Sequence, residues 1–243
     1  MVMKLLIVGA GSMGRWFASS VDAEITFLDV RSEIAQIAAN EMGAKMSEID
    51  TVELFDVVCI AVPIPNVVEA ISTYSKNATE VICDITGVMK TPIEAMKQYG
   101  NDIGRMSLHP LFGPENYPGR IASVMDENRP MAKKIIEDLE GAGNTLFTTT
   151  AEEHDEVMRT VQGMAHAAIL SFALASQEVP NEFGTPIFDG LRELVKDMTN
   201  GNARVYSDIQ EVFGGSTEIM KAAEKISSSN WEEFKRIYDE ARG

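Results

Sequence analysis

A chain of 243 residues, 45% of them hydrophobic, holds enough apolar material for one large domain or two modest ones with proper cores. Its 37 acidic residues against 21 basic ones leave a formal charge of −16, which argues against nucleic acid or an anionic membrane as partner and obliges any anionic substrate to find a local concentration of cations. Cys59 and Cys83 lie in apolar runs without CxxC spacing and read as reduced core thiols, no metal-ligand cluster is apparent, and with no signal peptide in view the expected compartment is the cytoplasm.

In chain order, apolar runs near 4–9, 24–29, 56–62, 80–85 and 103–108 read as strands. The first, Leu5-Leu6-Ile7-Val8, is too short to span a bilayer and leads directly into glycines, as a buried strand does. Helical patterns at 14–20, 31–41, 66–74 and 91–98 separate most of them. This alternation predicts an α/β fold, a doubly wound (Rossmann) parallel sheet with helices on both faces. Ala122–Met125, a helix over about 130–141 and Thr145–Thr148 continue the sheet. From about residue 151 the strand signals stop. Val157, Val161, Met164, Ala168, Phe172 and Ala175 recur at helical spacing, predicting one long, largely apolar helix over 152–177, of the kind buried in a core or a dimer interface. Further helices are expected at about 187–198, 203–212, 215–226 and 230–241. The change of period divides the chain into a Rossmann domain, 1–150, and an all-helical domain, 151–243.

Gly9-Ala10-Gly11-Ser12-Met13-Gly14 follows the first strand, opens a helix, and is answered by Asp29 at the end of the next strand. Gly9 permits the tight turn, Gly11 lets backbone approach a pyrophosphate, and Gly14 lets helix and strand pack closely, while N–H groups at the helix start meet the negative charge. Asp29 would accept from ribose hydroxyls and repel a 2′-phosphate, which favours NAD; Arg31 beside it keeps NADP open. Ala61-Val62-Pro63, at the end of the apolar run near 56–62, lies over the same crevice and would contact the dinucleotide mostly through its backbone.

Of three histidines, His109 stands at a strand end within Ser107-Leu108-His109-Pro110-Leu111-Phe112-Gly113-Pro114, aimed at that crevice. A histidine titrating near neutrality can take a hydroxyl proton while a hydride leaves the substrate.

The HPLFGP segment resembles the HPMFGP-type motif of the prephenate dehydrogenase family. Asp84-Ile85-Thr86-Gly87-Val88 resembles the family's D-x-x-S-V-K segment, and Glu153-His154-Asp155 followed by Gln162 and His166 resembles its E-H-D…Q-x-L-x-H helix; Tyr206-Ser207-Asp208-Ile209 is similar to a late helix. The resemblance implies NAD-dependent oxidative decarboxylation of prephenate to 4-hydroxyphenylpyruvate in tyrosine biosynthesis. It implies His109 as the base, His166, Gln162 and Gly113 against the dicarboxylate, and a homodimer built through the helical domain. Three positions depart from the pattern. Gly87 stands where the family has a serine, with Thr86 adjacent as the alternative hydroxyl; Met89 replaces a lysine; Ala165 replaces a carboxylate-binding arginine. Arg159, Arg192, Lys196 and Arg204 are the remaining candidates for the carboxylates, and His154 reads as a structural or capping residue. Arogenate as substrate, another GxGxMG dehydrogenase or imine reductase, and a non-catalytic dinucleotide sensor stay open. The lack of lysine between Val157 and Gln177 counts against a β-hydroxyacid dehydrogenase. No segment suggests a dedicated tyrosine-binding domain.

Overall fold

The computed structural model describes residues 2–100, 102–125, 129–176 and 179–242. Its chain divides into two compact units, one ending at Asp155 and one beginning at Glu156, so the division falls inside a helix.

The first unit contains the five expected strands: β1 (Met3–Val8), β2 (Ala23–Leu28), β4 (Phe55–Ile60), β5 (Ala78–Asp84) and β6 (Gly104–Pro110). A sixth, β3 (Lys45–Met46), is too short to carry a period and was not anticipated. With β7 (Arg120–Met125) and β8 (Thr145–Thr148) they form one sheet in the order β3-β2-β1-β4-β5-β6-β7-β8. Side chains of β1, β4 and β5 are sealed on both faces, which is why these segments read as unbroken apolar runs rather than alternating ones. Leu5, Ile7, Phe27, Val57, Cys59 and Val81 fill the core on one side, with Leu6, Val58, Ile60, Ile71 and Ile82 on the other. Cys59 and Cys83 are free, buried and register partners on β4 and β5.

The expectation of a parallel sheet needs one correction: β7 runs antiparallel to β6. Residues 111–119 between them are too few for a crossover helix, so the chain can only return in the opposite direction. Helices α1 (Ser12–Ser20), α2 (Ser32–Met42), α3 (Val67–Tyr74), α4 (Lys90–Tyr99) and α5 (Pro130–Gly141) pack on the sheet, Pro130 taking the first turn of α5, where its missing N–H costs nothing.

The long helix expected over 152–177 is present over 151–175 but is not α-helical throughout. It consists of α6 (Ala151–Met158), a π-helical stretch (Arg159–Met164) and α7 (Ala165–Ala175); Gln177 lies outside the described residues. Gly163 explains the break. Gln210 Nε2 donates to its carbonyl at 2.8 Å, and a Cβ on Gly163 would stand 2.7 Å from the Gly214 carbonyl oxygen. That close approach diverts the Gly163 carbonyl to a side-chain donor, and the extra residue of a π turn absorbs the change.

The second unit continues with α8 (Pro186–Thr199), α9 (Ala203–Phe213), α10 (Ser216–Ser228) and α11 (Trp231–Glu240). Thr185 caps α8, Asn202 caps α9, and Asn230 with Glu233 forms a capping box on α11. No helix among the described residues is long and apolar enough to cross a membrane.

Candidate active site

The glycine loop connects β1 to α1 at the point where strand order reverses, between β1 and β4. Gly9 adopts φ +106°, and its N–H donates to the Leu28 carbonyl at 2.7 Å. A Cβ on Gly9 would meet the Ala61 carbonyl oxygen at 2.3 Å, and one on Gly14 would meet the Gly9 carbonyl oxygen at 2.1 Å. Both glycines are therefore demanded by backbone approaching backbone. Gly11 differs. Nothing lies within 4 Å of a Cβ built there, and its φ of −70° suits any residue. Open space, not protein, lies where its side chain would stand. Ser12 is exposed at the helix start, and Met13 packs on the core.

Asp29 closes the loop from the β2 side. Its Oδ2 accepts from the Ala10 N–H at 3.0 Å, and its Oδ1 accepts from the Arg31 N–H at 3.0 Å. The exposed Arg31 guanidinium stands 3.7 Å from the same Oδ1. Ala61 is tied to β1 by its N–H, which donates to the Val8 carbonyl at 2.7 Å; Val62 and Pro63 lead into a short turn ending at Asn66.

His109 ends β6 with only 5% of its surface exposed. Its Nδ1 lies 2.8 Å from Nε2 of His154, and Nδ1 of His154 lies 2.8 Å from Oδ1 of Asp155. Asp155 in turn accepts from the N–H of Met89 at 3.0 Å and of Lys90 at 3.1 Å, just before α4 begins. Of the two roles expected for His154, structural or capping, the capping one is corrected: Thr150 supplies the cap by accepting the Glu153 N–H, and His154 is a buried partner of His109. His154 and Asp155 went unnoticed as a functional pair because the strand and helix that bring them to His109 are remote in sequence. The E-H-D part of the resemblance was the available signal.

The expected neutral-range titration of His109 also needs correction. Burial pushes its pKa down to about 3, His154 adding to the effect and Asp155 opposing it. The ring is therefore neutral at any ordinary pH. Asp155 is raised by burial, but the hydrogen bonds from His154, Met89 and Lys90 outweigh that and hold it below the usual carboxylate range.

Opposite His109, a Cβ on Gly87 would lie 3.6 Å from the ring's Nε2, so this nitrogen faces the glycine. The hydroxyl of Thr86, expected beside the base, is held between Asp84 Oδ2 at 2.5 Å and the Val88 carbonyl oxygen at 3.1 Å. Asp84 is fully buried, and burial raises its pKa to about 7 against the pull of the Thr86 hydrogen bonds. Past β6, Phe112 stacks edge-on against Trp16 of α1 with centroids 5.2 Å apart, and Gly113 begins the turn closed by the Asn116 N–H.

In the second unit, Gln162 lies in the π-helical stretch and His166 in the first turn of α7. His166 meets Tyr206 edge-on at 4.9 Å, its Nδ1 is buried without a partner, and burial lowers its pKa. Two of the candidate cations are paired. Arg204 pairs with Asp208 at 2.6 Å and Arg159 lies 3.8 Å from Glu218. Arg192 and Lys196 share a cleft of about 670 Å³ with Asp189 and Glu193, so its charges balance.

Residues 18–127 match the family model described as the nucleotide-binding domain of prephenate dehydrogenase. The similarity extends beyond it. The probable arogenate/prephenate dehydrogenase of Methanocaldococcus jannaschii is 24% identical over 97% of this chain, which spans 59% of that protein's length. The 4-amino-4-deoxyprephenate dehydrogenase of Streptomyces pristinaespiralis is 24% identical, with 98% of this chain and 90% of that one covered. A crystal structure of prephenate dehydrogenase from A. aeolicus, in complex with hydroxyphenyl propionate and NAD+, has the same fold: TM-score 0.76 over 100% of this chain and 96% of that one, at 19% identity.

Proposed function

We propose that this chain is an NAD-dependent dehydrogenase that converts prephenate to 4-hydroxyphenylpyruvate and CO2 in tyrosine biosynthesis. The observation that carries the reading is His109: a buried, neutral imidazole at the carboxyl end of β6, with Nε2 facing a glycine, in the unit that holds the glycine loop.

The residues of that loop suit a dinucleotide. Gly11 leaves a space that a Cβ would fill, and the N–H groups opening α1 suit a pyrophosphate. Asp29 suits ribose hydroxyls and favours NAD, with Arg31 as the group that would receive a 2′-phosphate. Bound NAD supplies the hydride acceptor. His109 Nε2 takes the proton of the substrate's 4-hydroxyl as the carbonyl forms and the hydride departs; loss of CO2 returns two electrons to the ring, which aromatises. A base with so low a pKa is weak but always in its accepting form, and aromatisation provides the driving force that a stronger base would otherwise supply. Gly113, Gln162 and His166 are the proposed substrate contacts, and a homodimer through the helical unit is the proposed assembly, supported by apolar side chains left exposed there, among them Leu174 and Ile187.

A second substrate has a specific claim. The S. pristinaespiralis relative, 90% covered, is named for a substrate bearing an amine in place of the hydroxyl, and Gly87 leaves the space facing the base without a hydroxyl. An NADH-release assay with prephenate, arogenate and 4-amino-4-deoxyprephenate side by side decides among them. Release with prephenate at the highest kcat/KM is the expected result. NAD binding without release from any of the three would favour a dinucleotide sensor and sink the reading.

A further inference from the structure

We infer that His154 and Asp155 are positioning residues that fix the tautomer of His109, placing its hydrogen on Nδ1 and leaving Nε2, on the side of Gly87, as the accepting nitrogen. The inference rests on the reading of His109 as the base and adds what makes that ring nitrogen the basic one.

The polarity of the chain of hydrogen bonds is set at Asp155. Its oxygens accept from two backbone N–H groups, those of Met89 and Lys90, and Oδ1 also lies 2.8 Å from His154 Nδ1. The carboxylate is held ionised by these contacts and can only accept. His154 Nδ1 must then carry a hydrogen. A neutral imidazole has one, so His154 Nε2 is an acceptor, and the 2.8 Å contact is a hydrogen bond donated by His109 Nδ1. His109 Nε2 is left without a hydrogen. The rings cross at 77°, with centroids 5.0 Å apart. The opposite polarity would need a cationic His154, which is only 3% exposed. Once Nε2 has taken the substrate proton, the charge on His109 is supported through the same two bonds by Asp155.

The polarity is readable from the ring nitrogens. The protein with 15N-labelled histidine, free of substrate, contains three rings, which His109→Asn and His154→Gln assign. The expected spectrum has His109 protonated at Nδ1 and bare at Nε2. In Asp155→Asn, an amide whose oxygen stays on the Lys90 N–H puts its NH2 where Oδ1 stood, toward His154. The hydrogen-bond direction then reverses, His109 becomes protonated at Nε2, and turnover falls at least about tenfold with KM for NAD unchanged. His154→Gln keeps an acceptor for Nδ1 and is expected to retain more turnover than His154→Leu. A wild-type His109 protonated at Nε2 would overturn the inference, as would an Asp155→Asn protein with unaltered tautomer and turnover within about twofold. Since the spectrum is read without substrate, a wild-type protein with the expected tautomer but no dehydrogenase activity would overturn the proposed function alone.

Discussion

In the Rossmann unit, Leu5, Ile7, Val57, Val58, Val81 and Ile82 have no exposed surface at all, and even its chemistry-bearing groups, His109, His154 and Asp84, are buried. In the helical unit, the apolar side chains largely face outward: Leu174, Phe183, Ile187 and Trp231 are each at least 70% exposed. α7 is apolar nearly all round, yet only Ala167 of its side chains is buried. A sheet covered by helices on both faces satisfies its own apolar surface, whereas a few short helices offer too few faces to cover one another. The first unit therefore seals its own apolar core, and the second leaves the apolar surface exposed on which the proposed dimer would form.

The contrast can be attacked directly. His109→Asn removes the proposed base from a scaffold that should otherwise stand, so turnover should fall by about 10² to 10⁴ with NAD affinity retained. Turnover near wild type, measured by NADH release, would remove His109 from the mechanism. Gly11→Ala probes the same unit more finely. Its Cβ meets nothing in the protein, so the melting temperature should be unchanged while NAD binds roughly tenfold or more weakly by calorimetry. Gly14→Ala, whose Cβ would collide with the Gly9 carbonyl, should lose both stability and binding. For the helical unit, the wild-type chain is expected to sediment at twice its 26.6 kDa mass, and Leu174→Glu as a single copy with unchanged helicity. A wild-type monomer would break the comparison.

The smallest effect concerns Asp84. Its folded-state pKa is raised from 3.8 to about 7, so the folded protein holds this proton more tightly than the unfolded chain does. Its contribution to stability is whole below pH 3.8 and is lost as pH rises toward 7. Asp84→Asn cannot ionise. It should melt a few degrees higher than wild type at pH 8, with the difference shrinking at pH 5. Equal pH dependence in the two proteins would show that Asp84 does not titrate in this range.

Most of the scaffold was legible because parallel strands buried on both faces must be apolar throughout, and runs such as Leu5–Val8 and Val57–Ile60 announce themselves. The roles of Gly9, Gly11 and Gly14 were legible for a similar local reason, since each depends on the turn in which it lies. The reversal at β7 was less visible because it depends on what a nine-residue connection, 111–119, can reach. The π turn was invisible because Gly214 and Gln210, which draw out the Gly163 carbonyl, arrive from another helix.

From the sequence alone came what short-range chemistry dictates: alternating strands and helices, a phosphate-binding turn, an acidic residue at the next strand end, and a histidine closing β6. Tertiary structure alone decided what depends on approach between distant segments. It seated His154 and Asp155 behind His109, engaged the Thr86 hydroxyl with Asp84, and drove the pKa of His109 down to about 3 by burying it. A proton's affinity for a ring nitrogen is set by solvent exclusion and by neighbours a few ångströms away, and neither is written in the order of residues along the chain.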